Sequence, residues 1–202
     1  DVDFETSLTV TNRSFEEVFD AARRTESDLV LLGWEEDRLW SDARAERPLA
    51  ELTNQLPCDF LVVKDRDLDA SRILLPTYGG PDSDLSAEVV KMLQSAVGSA
   101  VSLLHVVESD ADRESGEQFL EEWALDHELT DAERVVEAGT VESAIEREAA
   151  DHTLLILGAT ERGLLSRLLT DSLHIDVIND VDCSVLLAER PHERSLFERL
   201  FG

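Results

Sequence analysis

Few side chains in this 202-residue sequence are spaced for chemistry. The histidines are His105, His127, His152, His174 and His192, and none stands at a zinc-ligand spacing from a cysteine or another histidine. His105 ends an apolar run and reads as a hydrogen-bonded edge of the core. Cys58 and Cys183 form neither a metal motif nor a disulfide framework, which fits a reducing compartment. Each opens a short apolar run, where a free thiol acts as a small hydrophobe. Ser166 and Ser172 lack the histidine and acid of a hydrolytic triad. Acid clusters such as Glu35-Glu36-Asp37 and Glu121-Glu122 read as solvated faces. The segment richest in chemical groups is Gly158-Ala159-Thr160-Glu161-Arg162-Gly163, with Asp171 and Ser172 beyond it. With no positioned nucleophile or acid–base pair, an enzyme is not expected.

Charge narrows the partners. Asp and Glu number 45 against 18 Lys and Arg, for a net charge of −27. That field repels phosphate backbones, so nucleic acid is excluded as a partner, and it repels anionic lipid heads as well. Lys64 and Lys91 are the only lysines. An acidic, lysine-poor chain with 43% hydrophobic residues reads as a normal core inside a surface adapted to high salt. No apolar stretch approaches the length of a bilayer span, and no charged-then-apolar leader opens the chain. The sequence is therefore expected to be soluble. Lacking an initiator Met, it is expected to be a fragment of a longer polypeptide.

Positioning elements come from a repeat. Asp28-Leu29-Val30-Leu31-Leu32-Gly33 matches Thr153-Leu154-Leu155-Ile156-Leu157-Gly158. Pro57-Cys58-Asp59-Phe60-Leu61-Val62-Val63 matches Asp182-Cys183-Ser184-Val185-Leu186-Leu187-Ala188. The glycines (158 − 33) and the cysteines (183 − 58) share one offset of 125 residues, so no gap separates them. In the second copy, strands are predicted over 72–76, 101–107, 134–138, 153–157 and 183–188. Helices are predicted from a Ser83 or Asp84 cap to about 97, over 115–129, over 141–150 and over about 167–181. The first of these helices should bury Leu85, Val89, Met92, Leu93 and Val97. The second should bury Phe119, Leu120, Trp123 and Ala124. Alternating apolar strands and helices specify a doubly wound, parallel, five-stranded α/β unit. The first copy holds strands near 6–10, 29–32 and 60–63 and helices near 15–24 and 43–56. The counterparts of its opening strands and helices are absent, which should leave a strand edge and an apolar face bare.

The segment from Gly158 to Ser172, ahead of Asp182-Cys183-Ser184-Val185-Leu186-Leu187, resembles the phosphate loop and last strand of the universal stress protein family. Arg72-Ile73-Leu74-Leu75-Pro76-Thr77 and Leu103-Leu104-His105-Val106-Val107 look like that family's first two strands. The resemblance implies a Rossmann-like fold, with residues 1–66 as the C-terminal half of a first unit. Residues 71–190 would form a complete second unit, and 191–202 a tail. It also implies a nucleotide site. Gly158, Arg162, Gly163 and Ser172 would hold phosphates, while Thr77, Tyr78, Gly79 and Val107 would border base and ribose. A glycine-bearing turn before a helix suits that task, because backbone N–H groups and the helix dipole meet the anion. This chain departs from the pattern at Glu161, Asp171 and Tyr78, and in the first copy at Glu36, Glu46 and Arg47. A carboxylate about 4 Å from a phosphate charge costs roughly 4 kcal/mol at an effective dielectric of 20, less whatever a magnesium ion or Arg162 offsets. Trp34, just past Gly33, would plug the first site or simply cover a core edge. The site is thus expected to be degenerate and no cofactor is expected, with ATP or AMP in the second unit as the alternative.

The pairing of units, with its short linker from Arg66 to Ser71, is similar to the tandem stress-protein region at the cytoplasmic C-terminus of amino-acid permeases. The implied partners are the transmembrane part of such a transporter and other units of the same kind, as a pseudo-dimer or homodimer. The implied setting is the cytoplasmic side of a cell membrane, in a haloarchaeal-like organism.

Overall fold

The computed structural model describes residues 14–33, 57–158 and 180–191. In chain order they form α1 (Ser14–Arg24), β1 (Leu29–Gly33), β2 (Asp59–Lys64), β3 (Arg72–Pro76), α2 (Pro81–Val97), β4 (Ala100–Val107), α3 (Arg113–Asp126), β5 (Glu133–Ala138), α4 (Val141–Ala149), β6 (Leu154–Gly158) and β7 (Ser184–Glu189). The strands make one sheet in the order β1-β2-β7-β6-β3-β4-β5. Every neighbouring pair is parallel except β2 and β7, which run antiparallel. The strands carry apolar side chains on both faces because helices cover both faces. Ile73, Leu74 and Leu75 of β3 are all fully buried. One apolar layer joins Phe19 of α1 and Ala144, Ile145 and Ala149 of α4 to Val62, Leu74, Leu155 and Leu187. The other joins Leu85, Val89 and Val90 of α2 and Leu120 and Trp123 of α3 to Ile73, Leu103, Ile156 and Leu186.

The expected order of elements is present across 72–158, with boundaries shifted by one to three residues, and the main differences lie in α2. Helix α2 starts at Pro81, two or three residues before the expected Ser83 or Asp84 cap. Gly80 caps it with φ near +86°, and Pro81 takes the first position, where its missing N–H costs nothing. Met92 and Val97 are exposed, contrary to the predicted apolar stripe, while Leu85 and Val89 are buried. With the helix packed on β6 and β7, its buried side runs through Leu85, Ser86, Val89 and Val90, so Met92 falls on the outer side. The expected elements near 6–10 and 43–56 lie outside the described residues. So does all but the last residue or two of the one over about 167–181.

The strands at the seam keep the sequence offset. Shifted by 125, β1 (29–33) becomes β6 (154–158) and β2 (59–64) becomes β7 (184–189). Leu29 faces Asp59 in one pair and Leu154 faces Ser184 in the other, so the register is shifted by the same amount. Among the described residues β1 pairs with β2 at the end of the sheet, and Leu29 and Leu31 are exposed.

Candidate functional site

In an open α/β sheet, ligands collect at the carboxyl ends of strands where the winding reverses. Here the reversal falls between β3 and β6, since β3 leads to β4 on one side and has β6 on the other. Thr77, Tyr78, Gly79 and Gly80 form the turn leaving β3, and Gly158 closes β6.

Thr77 is buried and spoken for. Its N–H donates to the Leu104 carbonyl at 2.8 Å, and its hydroxyl oxygen accepts from the Gly79 N–H at 3.2 Å. Its carbonyl lies 3.0 Å from His105 Nδ1, and since a carbonyl only accepts, that nitrogen carries the proton. The His105 ring lies between two others, with centroids 5.3 Å from Tyr78 and 4.5 Å from Phe119. Tyr78 is 71% exposed, so its ring forms the outer wall of this stack. Gly79 has φ near +80°, and a Cβ there would reach the Phe119 ring at 3.8 Å. Turn and stack therefore fix each other.

Val107 is turned inward. Its carbonyl accepts from the Gly139 N–H at 3.0 Å, and its Cγ1 would lie 2.9 Å from a Cβ on Gly116. Helix α3 approaches β4 this closely because residue 116 has no side chain. Gly158 has a similar duty toward α2. A Cβ there would stand 2.8 Å from the Asp82 carbonyl carbon and 3.0 Å from the Ser83 nitrogen. The glycine is needed so that the start of α2 can abut β6.

That start carries an acid the sequence reading missed. Asp82 is buried, and its Oδ1 accepts from the Arg190 N–H at 2.8 Å. The Arg190 side chain extends to Asp59 of β2 through Nε and Nη2 at 3.2 and 3.0 Å, and to Glu88 of α2 at 2.8 Å. These carboxylates hold the guanidinium well above its ordinary range. The signal for Asp82 was legible: an acid in the first turn after Gly-Gly-Pro meets the helix dipole.

Thr77, Tyr78, Gly79 and His105 are thus gathered into one cluster, whereas Val107 is committed to α3 and Gly158 to α2. Arg162, Gly163 and Ser172 lie outside the described residues, as do Glu161 and Asp171. Two features stand at this crevice among the described residues. The space beside Gly158 is filled by α2 backbone, and a buried carboxylate already stands at the end of the dipole.

Residues 70–189 match the family model described as the universal stress protein family. The chain belongs to that family. No curated protein matches it by sequence. Among solved structures, it is similar to a universal stress protein from Archaeoglobus fulgidus DSM 4304, with 17% identity, TM-score 0.58 and 87% of this chain covered. It is similar to a functionally unknown protein from Pseudomonas aeruginosa PAO1, at 16% identity, TM-score 0.56, with 93% of this chain and 69% of that one covered. It is also similar to the cytoplasmic domain of a prokaryotic cation chloride cotransporter, at 12% identity, TM-score 0.63, with 92% of this chain and 74% of that one covered. The chain spans 65% of the length of the Archaeoglobus protein. At these identities the likeness is one of fold. No helix among the described residues is long and apolar enough to cross a membrane.

Proposed function

We propose that this universal stress protein chain is a non-catalytic regulatory and sensing module on the cytoplasmic side of an amino-acid transporter in a salt-adapted cell. In this reading residues 1–66 are the second half of one stress-protein unit, 71–190 are a complete second unit, and 191–202 are a tail. The two units join through β2 and β7 as a pseudo-dimer. The nucleotide site of the second unit is degenerate. The observation that carries the reading is the crowding of Gly158 by the start of α2, with Asp82 buried there. A scaffold that has filled its anion cradle with its own backbone and a carboxylate keeps its surfaces for contacts. His105 supports the non-catalytic part, because its Nδ1 is bound to Thr77 and its ring packs between Tyr78 and Phe119. The shared fold with a transporter's cytoplasmic domain supports the attachment.

The alternative is ATP or AMP held in the second unit, with Arg162, Gly163 and Ser172 on the phosphates and Thr77, Tyr78, Gly79 and Val107 around base and ribose. The exposed Tyr78 ring beside Gly79 favours it, since a planar face at a switch point suits a base. Calorimetry with ATP, AMP and magnesium in molar KCl separates the two. The regulatory reading expects no heat and no thermal shift. Saturable binding near equimolar stoichiometry would establish the alternative, and turnover of ATP would end the non-catalytic reading.

A further inference from the structure

We infer that His127 is a proton-operated latch between the end of α3 and the first turn of α2, closed while its imidazole carries two protons and opened when one leaves. The latch names a signal, the proton, for the sensing role proposed above. It rests on that reading for its purpose, and on geometry for its operation.

Each ring nitrogen of His127 faces an acceptor. Nδ1 lies 2.8 Å from the Trp123 carbonyl, and Nε2 lies 2.9 Å from Asp84 Oδ1. Neither a carbonyl nor an ionised carboxylate can donate, so the two bonds together require a proton on both nitrogens. Two further features favour the same cation. The imidazole stacks on the Trp123 ring, with centroids 4.2 Å apart and planes 24° apart, and an indole face attracts positive charge. His127 also caps the C-terminus of α3, where the helix dipole favours a cation.

A neutral imidazole has one proton for two acceptors. With that proton on Nδ1, a lone pair on Nε2 meets the Asp84 carboxylate. With it on Nε2, a lone pair meets the Trp123 carbonyl. One bond is lost either way. The other charged groups on the two helices here are Glu88 and Lys91 of α2, with Asp126 and Glu128 flanking His127 in the chain. Lys91 binds Glu128 and Glu88 binds Arg190, so neither supplies a donor to the neutral ring. Closure is therefore complete at low pH and is lost as pH rises through the histidine range, about 6.5 for a free side chain.

Asp84 ties the latch to the switch point of the sheet. Its N–H donates to the Gly80 carbonyl at 3.0 Å, and it lies two residues beyond Asp82, whose backbone abuts Gly158. Trp123 is buried, and its Nε1 has no hydrogen-bond partner among the described residues. Packing and the stacked imidazole therefore hold that indole. Opening the latch loosens the start of α2 and uncovers one face of Trp123 in the same step.

The test is NMR on the 202-residue chain in molar KCl, from about pH 5.5 to about pH 8, reading the His127 ring nitrogens and the exchange protection of amides 84–87. Protection, corrected for the intrinsic pH dependence of exchange, should fall at least about fivefold across that range. Asp84→Asn should keep protection high and flat, because a side-chain amide can accept from the imidazolium or donate to the neutral ring. His127→Phe keeps a ring on Trp123 and removes both bonds, so its protection should be low and flat. A flat profile in the unmodified chain, a single protonated ring nitrogen at the acid end, or a slope that survives Asp84→Asn would each overturn the inference. Should His127→Phe fail to fold, the unmodified chain and Asp84→Asn still decide. Nucleotide calorimetry reads neither quantity, so failure here is separable from failure of the functional reading.

Discussion

Val62 of β2 stands directly opposite Leu187 of β7, and the two are 187 − 62 = 125 residues apart. In an antiparallel pair, residues equidistant from the centre exchange places under a two-fold rotation. A pair separated by the repeat offset therefore marks where that rotation axis crosses the seam. The relation holds along the ladder, since Leu61 faces Ala188 and Val63 faces Leu186, each one step off in opposite senses. Antiparallel pairing of β2 with β7 is what such a rotation requires, and the pairs on either side of it, β1 with β2 and β6 with β7, are parallel. The seam also places β2 and β7, 125 residues apart in sequence, side by side within the sheet.

Arg190 should be the chief electrostatic contributor at this seam. Its guanidinium reaches Asp59 across the junction and Glu88 on α2, and both Arg190 and Asp59 are largely shielded from solvent. Replacing it with Ala leaves Asp59 and Glu88 facing each other without a cation. Arg190→Ala should cost about 2 kcal/mol in urea unfolding at molar KCl, and Arg190→Lys should recover less than half, because Lys cannot donate to two carboxylates in a fork. A loss under about 0.3 kcal/mol would mean the pairs are solvent-screened like ordinary surface bridges.

Gly158→Ala tests the packing of α2. The new methyl would stand 2.8 Å from Asp82 backbone, which cannot rotate away as a side chain could. Overpacking of this kind costs about 1–3 kcal/mol. The expected result is a lower melting temperature, together with faster exchange of the first-turn amides of α2. A neutral substitution would show that α2 tolerates displacement and that the cradle has room for an anion after all.

Gly116→Ala makes the corresponding test on α3 and reaches the candidate site. Its Cβ would lie 2.9 Å from Val107 Cγ1, 2.9 Å from Val136 Cγ1 and 3.2 Å from His105 Cδ2. A loss of about 1–3 kcal/mol is expected. The imidazole signals of His105 should also shift in NMR spectra, since the ring is held between Thr77, Tyr78 and Phe119. An unchanged His105 environment would uncouple α3 from the cluster.

Much of this was legible because the strands advertise themselves. Runs such as Ile73-Leu74-Leu75 and Leu154-Leu155-Ile156 have no polar alternation, which specifies a sheet covered on both faces. The start of α2 was not legible. Ser83 and Asp84 are good caps by residue type, but a left-handed Gly80 followed by Pro81 starts the helix earlier. The face of α2 was misread at Met92 and Val97 because periodicity fixes a stripe only when the start and the packing partner are known. The site was the least legible part. Gly158 fits a phosphate loop and a close-packed strand end equally well by sequence. The approach of Asp82 backbone to Gly158 has no signal in the sequence. Arg190 and Asp59 are 131 positions apart, and nothing local relates them.

The buried thiols give a pH prediction with a definite sign. Cys183 precedes β7, and burial pushes its thiol above the usual 9.0, outweighing the hydrogen bonds and the Arg66 charge that favour the thiolate. Burial likewise raises Cys58, with Asp59 and Asp28 adding to it. A thiol whose pKa is raised by folding stays protonated in the native state while the unfolded chain begins to ionise. Its stabilising effect is therefore complete below about pH 9 and is lost as pH climbs through the raised value. Urea midpoints should be flat with respect to these groups from pH 7 to 8.5 and fall from pH 9 upward. Cys183→Ala should reduce that alkaline slope, whatever it costs at pH 7 through the lost sulfur contacts. Neither thiol should react with a neutral-pH disulfide reagent faster than the chain unfolds, because the attacking thiolate is scarce and buried. Rapid labelling of two thiols in the native protein, or an alkaline slope untouched by Cys183→Ala, would show that the last strands are not sealed at the seam.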